Sequence, residues 1–280
     1  MKKYLQLIRV KHWIKNILIF IPIVCSGTIN NVNVITCFGG FLAFSFASSF
    51  VYIINDINDI EKDKQHPRKK NRPLPSGRVK KSTAMVLATL MFILSIIINT
   101  VINDNIIINK SLYFLISYVL INICYSFGLK NIAIVDIVLL ASGFVIRIYY
   151  GASIVDVLVS NWLFLTIMSA SLFLGLGKRK KELINSKNAR KVLQQYNEAF
   201  LDKFQYLSLC LTIVFYSLWA IEQSAKYLYL TIPLFIVIFM VYQLNIEKND
   251  EGDPTTIFYQ DKYLIALCLI YGITMLLILV

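Results

Sequence analysis

Histidine is nearly absent: His12 and His66 are the only two in 280 residues. They stand alone, so neither a histidine-built metal centre nor a Ser-His-Asp arrangement is supported. The five cysteines (Cys25, Cys37, Cys124, Cys210 and Cys268) form no CxxC pair and sit in apolar stretches. They read as small buried hydrophobes, not as metal ligands. Charge is also scarce, at 16% against 57% apolar residues, which rules out an ordinary soluble domain. The basic start lacks a small-x-small cleavage site, so the first apolar stretch is expected to remain as an uncleaved helix.

Long apolar runs are what the chain has. A spanning helix needs about 20 mostly apolar residues. The pattern predicts an all-α polytopic membrane protein with nine spans, near 16–29, 34–54, 82–102, 111–127, 132–151, 157–177, 205–222, 227–245 and 263–280. The first is short and requires either little tilt or snorkelling of Lys15. A net charge of +12 raises nucleic acid as a partner, but its distribution answers the question. With the N-terminus inside, segments 1–15, 55–81, 128–131, 178–204 and 246–262 hold 25 of the 28 Lys and Arg. Lys110 and Lys226 fall outside, and Arg147 lies within a span. This is the positive-inside asymmetry. It predicts a cytoplasmic N-terminus, an external C-terminus and no need for nucleic acid.

Two long cytoplasmic loops carry the candidate chemistry. NDINDIEKD, Asn55 to Asp63, follows the second span directly. Helical spacing lines up Asn55, Asp59 and Asp63, with Asp56 on nearly the same face. Like charges so spaced repel, unless a divalent cation reverses the sign of the interaction. Mg²⁺ takes one or two carboxylates and completes its shell with water and phosphate oxygens, so the row suits a metal-bound diphosphate. A solvated acidic turn is the plainer alternative.

The basic stretch from Lys64 to Lys81 comes next, broken by Pro67, Pro73, Pro75 and Gly77, which fold it back. Arg68, Lys69, Lys70 and Arg72 are expected near the acids, with Arg72 the favoured phosphate ligand. YSFGLKNIAIVD, Tyr125 to Asp136, places Lys130 on a turn and Asp136 inside the next span. Arg147 shares that span about 16 Å further along, too far to pair with Asp136. Ionisable groups inside a span are site candidates by default, although an interhelical ion pair also accounts for them. RVKHWIKN, Arg9 to Asn16, puts Lys11 and Lys15 on one face of an entry helix, with Trp13 at the interface. GLGKRKKEL, Gly175 to Leu183, offers Lys178 and Arg179 and is not a P-loop. Each of these cations also serves as a topology charge. The stretch Glu247 to Asp253 reads as a solvated acidic loop.

NDINDIEKD resembles the NDxxDxxxD signature of the UbiA superfamily of membrane prenyltransferases, in sequence and in position. The resemblance covers essentially the whole chain. It implies one UbiA-like transmembrane domain over 1–280, a bundle with a cytoplasm-facing central cavity, in a bacterial inner membrane. RVKHWIKNILIFIPI, KKNRPLPSG, YSFGLKNIAIVD, GFVIRIYYGA and GKRKKEL are similar in order and spacing to the decaprenyl-phosphate phosphoribosyltransferase branch.

That branch implies Mg²⁺-assisted transfer of 5-phosphoribosyl from its diphosphate to a polyprenyl phosphate, for envelope polysaccharide precursors. The resemblance gives Asn55, Asp56, Asp59 and Asp63 the metal-diphosphate role, and makes Lys130 and Asp136 a second motif. Asp59, Asp63 and Asp136 are the expected catalytic groups. Lys15, Asn55, Arg72, Tyr125, Lys130, Arg147, Lys178 and Arg179 are the expected substrate contacts. One departure stands out: the second DxxxD motif of aromatic prenyltransferases has Leu140 in place of its second carboxylate. That argues against the alternative of isoprenyl transfer to an aromatic or lipophilic acceptor. A transporter is the alternative from another class, but no internal symmetry supports it.

Overall fold

The structure, a computed structural model, describes residues 2–65, 69–103, 110–185, 191–248 and 252–279. Among these the chain is helical and contains no strand. In order, the helices are α1 (Lys2–Ile8), a 3-10 segment (Val10–Phe20), α2 (Ile21–Cys25), α3 (Asn31–Asn58), α4 (Ile60–Gln65), α5 (Lys81–Val101) and α6 (Lys110–Phe127). There follow α7 (Val135–Ile154), α8 (Asn161–Asn185), α9 (Glu198–Glu222), α10 (Thr231–Lys248), α11 (Pro254–Gln260) and α12 (Lys262–Leu279). Helices satisfy every backbone group internally, which hydrocarbon demands. Side-chain caps set helix starts: at α3 Asn30 accepts from Asn33 N at 2.8 Å, and at α9 Asn197 accepts from Phe200 N at 2.7 Å.

Seven described helices are long and apolar enough to cross a membrane: α3, α5, α6, α7, α9, the stretch Leu228–Lys248 and α12. The other two expected spans take different forms. Residues 10–25 form a 3-10 segment followed by a short α-helix holding Pro22. At three residues per turn, Lys11 and Lys15 do not share a face, contrary to the α-helical reading of RVKHWIKN. α8 runs on past Gly177 through a basic tail, which dilutes its apolar character. Pro67 and Arg68 lie outside the described residues.

The chain divides into two compact units. The first comprises 1–21, 30–130 and 146–156. α3 is its centre, with α1, the 3-10 segment, α5 and α6 packed on it. The inner face of α3 is small (Ala43, Ser45, Ala47, Ser48 and Ser49 are all buried), which lets neighbouring backbones come close. At Gly151 an added Cβ would strike the main chain of Ile19, so α7 and the 3-10 segment meet backbone to backbone there. Beneath the loop 69–79, Leu74 and Val79 enter a core with Leu7, Ile53 and Ile57. Val79 N donates to Pro73 O at 3.0 Å, and Gly77 turns the chain at φ 72°. This pins Arg72 against the end of α3.

The second unit comprises 22–29, 131–145 and 157–280. α8 and α9 form its main hairpin. Ile137, Leu176, Val192, Leu193 and Leu201 make one core, while Phe173, Tyr242, Ile246, Ile257 and Leu264 make another. Gly252 lies against the backbone of Lys178, and Asp253 accepts from Lys178 Nζ at 3.0 Å. The acidic stretch ending at Asp253 is therefore not simply solvated: glycine lets the chain approach α8, and the cation there takes the carboxylate.

Candidate active site

The acidic row survives the end of α3. Although α3 stops at Asn58 and α4 starts at Ile60, Asp59 N donates to Asn55 O at 3.0 Å and Asp63 N to Asp59 O at 2.8 Å. Helical spacing thus continues across the junction, and Asn55, Asp59 and Asp63 keep their alignment. Every carboxylate in the row has a cation. Asp56, 2% exposed, accepts from Arg9 Nη2 and lies 3.4 Å from Arg72 Nη1. Asp63, also buried, accepts from Arg72 Nη1 at 2.6 Å. Asp59 accepts from Lys130 Nζ through both oxygens, at 2.8 and 2.9 Å. Asn55 Oδ1 accepts from Ser126 Oγ at 3.0 Å, so the last turn of α6 abuts the row. The motif is a balanced set of three acids and three bases, all within the first unit.

Of the expected partners, Arg72 and Lys130 are therefore in place. Arg9 was legible only as a topology charge, although it stands in the same RVKHWIKN stretch as the expected substrate contact Lys15. Lys15 is half-buried on the 3-10 segment, and Tyr125 is half-buried on α6 beside Ser126. Arg147 belongs to another constellation of the first unit. Its Nε donates to Asn16 Oδ1 at 2.7 Å and its Nη2 to Tyr118 Oη at 3.2 Å, with the Phe44 and Tyr118 rings about it at 5.0 and 4.9 Å. An amide and two π faces solvate the buried guanidinium.

In the second unit, Asp136 and Arg179 are both fully buried and bound to each other, Arg179 Nε to Asp136 Oδ2 at 2.5 Å. Arg179 Nη1 also donates to Glu182 at 2.5 Å. The other oxygen of Asp136 accepts from Tyr196 Oη at 2.6 Å, and that hydroxyl accepts from Ile134 N at 2.6 Å. Ile134 is a non-glycine residue with φ 69°, so Tyr196 braces a left-handed turn just before α7. Burial first, then the Asp136 carboxylate, holds the Tyr196 hydroxyl well above the usual phenol range, so it remains a donor. No sequence spacing pointed to Tyr196, because it lies 60 residues beyond its partner.

Among the described residues, no three acidic, histidine or cysteine side chains converge into a cage that could hold a metal on its own. The donors of the row nonetheless fit Mg²⁺. They are all oxygens, and this ion takes one or two carboxylates with substrate phosphates rather than a full protein cage.

The chain that carries this row has known relatives. Residues 18–268 match the UbiA prenyltransferase family, and the chain belongs to it. The decaprenyl-phosphate phosphoribosyltransferase of Mycolicibacterium smegmatis is 30% identical, across 93% of this chain and 87% of that protein. The protein of the same name from Mycobacterium tuberculosis is 29% identical, over 94% and 89%. The structure of a UbiA homolog from Archaeoglobus fulgidus, bound to GPP and Mg²⁺, superposes with a TM-score of 0.75 at 19% identity, covering 98% and 99% of the two chains. The chain has the UbiA fold and is a multi-pass membrane protein.

Proposed function

We propose that this protein transfers a 5-phosphoribosyl group from phosphoribosyl diphosphate to a polyprenyl phosphate, with Mg²⁺ and release of diphosphate. The observation that carries this reading is the row of Asp56, Asp59 and Asp63 interleaved with Arg9, Arg72 and Lys130. It supplies metal ligands and phosphate ligands together, in a chain similar over nearly its whole length to proteins named as phosphoribosyltransferases. In the reaction an oxygen of the lipid phosphate bonds to the anomeric carbon as the bond from that carbon to diphosphate breaks. The electron pair leaves with diphosphate. The transition state has oxocarbenium character. Bound Mg²⁺ would supply Lewis-acid stabilisation of the leaving diphosphate. Asn55, Asp56, Asp59 and Asp63 would hold and orient that load. Arg72 and Lys130 exchange their carboxylates for phosphate oxygens and neutralise developing charge. The acceptor is already an anion at neutral pH, so no general base is required.

Lys15, Tyr125, Arg147 and Lys178 remain proposed substrate contacts. For Asp136 and Arg179 the contacts favour an anchoring role, since each spends its polar atoms on the other and on Tyr196 or Glu182. We further propose one domain with nine crossings of a bacterial plasma membrane, residues 10–25 and α8 supplying the two beyond the seven. The N-terminus and the basic segments are then cytoplasmic, and the C-terminus is external. The second reading, isoprenyl transfer to a lipophilic acceptor, draws on the fold shared with the GPP-bound homolog. Leu140 in place of a carboxylate weighs against it.

Purified protein with labelled phosphoribosyl diphosphate, a polyprenyl phosphate and Mg²⁺ tests the proposal. Asp59→Asn and Asp63→Asn should each lower turnover at least about 100-fold, the scale of losing a key electrostatic group. Undiminished turnover in both variants, or turnover that survives chelation, overturns it.

A further inference from the structure

We propose that Arg9 makes metal uptake depend on the diphosphate: it holds Asp56 in the free protein and releases it when a diphosphate offers its own oxygens to the guanidinium. The inference rests on the reading of the acidic row as a metal-diphosphate site.

Charge supplies the first reason. Three carboxylates already face three cations, so a lone divalent ion meets a neutral cluster. To reach Asp56 it must push a guanidinium off a buried carboxylate, leaving that guanidinium without a counter-charge. A diphosphate reverses this, because a planar guanidinium binds phosphate oxygens as well as it binds a carboxylate.

Geometry supplies the second. Arg9 has a left-handed backbone, φ 57° and ψ 47°, which a side chain other than glycine rarely adopts. The conformation is enforced from both sides. Ser49 Oγ donates to Ile8 O at 2.9 Å, Trp13 Nε1 donates to Ser49 Oγ at 3.0 Å, and Leu7 is fully buried. α3 thus clamps the chain before and after Arg9 and aims its side chain at the row. The guanidinium also lies 5.0 Å from the Tyr52 ring, one turn before Asp56. Stacking there lets it leave the carboxylate while keeping a support, the property a displaceable counter-ion needs.

Linkage requires that if diphosphate tightens Mg²⁺ binding, Mg²⁺ tightens diphosphate binding by the same factor. The test uses the full chain in detergent, titrated with Mg²⁺ alone, with inorganic diphosphate in chelator, and with both at fixed free Mg²⁺. Thermal shift gives the readout. In the wild type, saturating diphosphate should raise Mg²⁺ affinity at least about tenfold, on the scale of typical coupling. Arg9→Gln leaves the row one charge negative, so Mg²⁺ alone should bind several-fold tighter and the coupling should shrink several-fold, the remainder coming from direct contact of Mg²⁺ with phosphate oxygens. Arg9→Lys, which retains a cation, should keep most of the coupling.

Equal Mg²⁺ affinity with and without diphosphate in the wild type overturns the proposal, whether or not Arg9→Gln folds. So does Arg9→Gln coupling equal to wild type. Phosphoribosyl transfer by a protein that binds Mg²⁺ independently sinks this inference alone. Coupled Mg²⁺ and diphosphate binding without phosphoribosyl transfer sinks only the donor assignment.

Discussion

A charge buried with its partner behaves differently from the same charge left alone, and Asp136 and Arg179 offer a clean instance. Removing one member of a buried pair costs about 3–5 kcal/mol, whereas replacing both with apolar groups of similar volume is often neutral. Arg179→Met should therefore destabilise the detergent-solubilised protein by about that amount, and Asp136→Leu with Arg179→Met should recover most of the loss. Denaturation of the single and double variants checks this. A double variant no more stable than Arg179→Met would show that Tyr196 and Glu182, not the pair, hold this site. The sequence presented Asp136 as an intramembrane candidate and Arg179 as a cytoplasmic cation at the end of a span, and nothing in their spacing announced that each was the other's counter-ion. Asn55, Asp56, Asp59 and Asp63 were legible because helical periodicity is local. Arg9 and Tyr196 were not, because their roles arise from contacts 47 and 60 residues away.

Each helix start depends on its own cap. At α12, Asp261 accepts from Tyr263 N at 2.7 Å and Leu264 N at 3.2 Å, and also from Asn245 Nδ2. The Asn245 amide above all, and then those backbone donors, hold its carboxyl below the usual carboxylate range. A depressed value means that the stabilisation is fully present above the ordinary carboxylate pKa of about 4 and is lost as pH falls through the lowered one. Asp261→Ala should cost about 1 kcal/mol at neutral pH, and its gap from wild type should narrow in acid. Melting curves at pH 7 and near pH 3 would show a constant gap if the cap were irrelevant. Elements of this kind were mostly legible: long apolar runs gave α3, α5, α6, α7, α9, α10 and α12. The 3-10 form of Val10–Phe20 was not, because a spacing of four reads as α-helix until tertiary packing tightens the turn.

Across the whole molecule, the sorting of Lys and Arg is the property that fixes orientation. In a cysteine-free background, Lys110→Cys should react with a membrane-impermeant maleimide on intact cells, and Lys80→Cys only after permeabilisation. The reverse pattern would invert the topology and take the acidic row away from the cytosol. Fold class and family were open to reading at this scale because hydropathy and the NDINDIEKD motif are global and local signals that agree. The division into two compact units was not, since no linker composition marks it.

Tyr196 joins the backbone at Ile134 to Asp136, and Asp136 is neutralised by Arg179. The start of α7 thus waits on residues made much later in translation. A nascent chain that has delivered α7 but not yet α8 carries Asp136 without its Arg179 counter-ion, and the turn at Ile134 has no brace until residue 196 has left the ribosome.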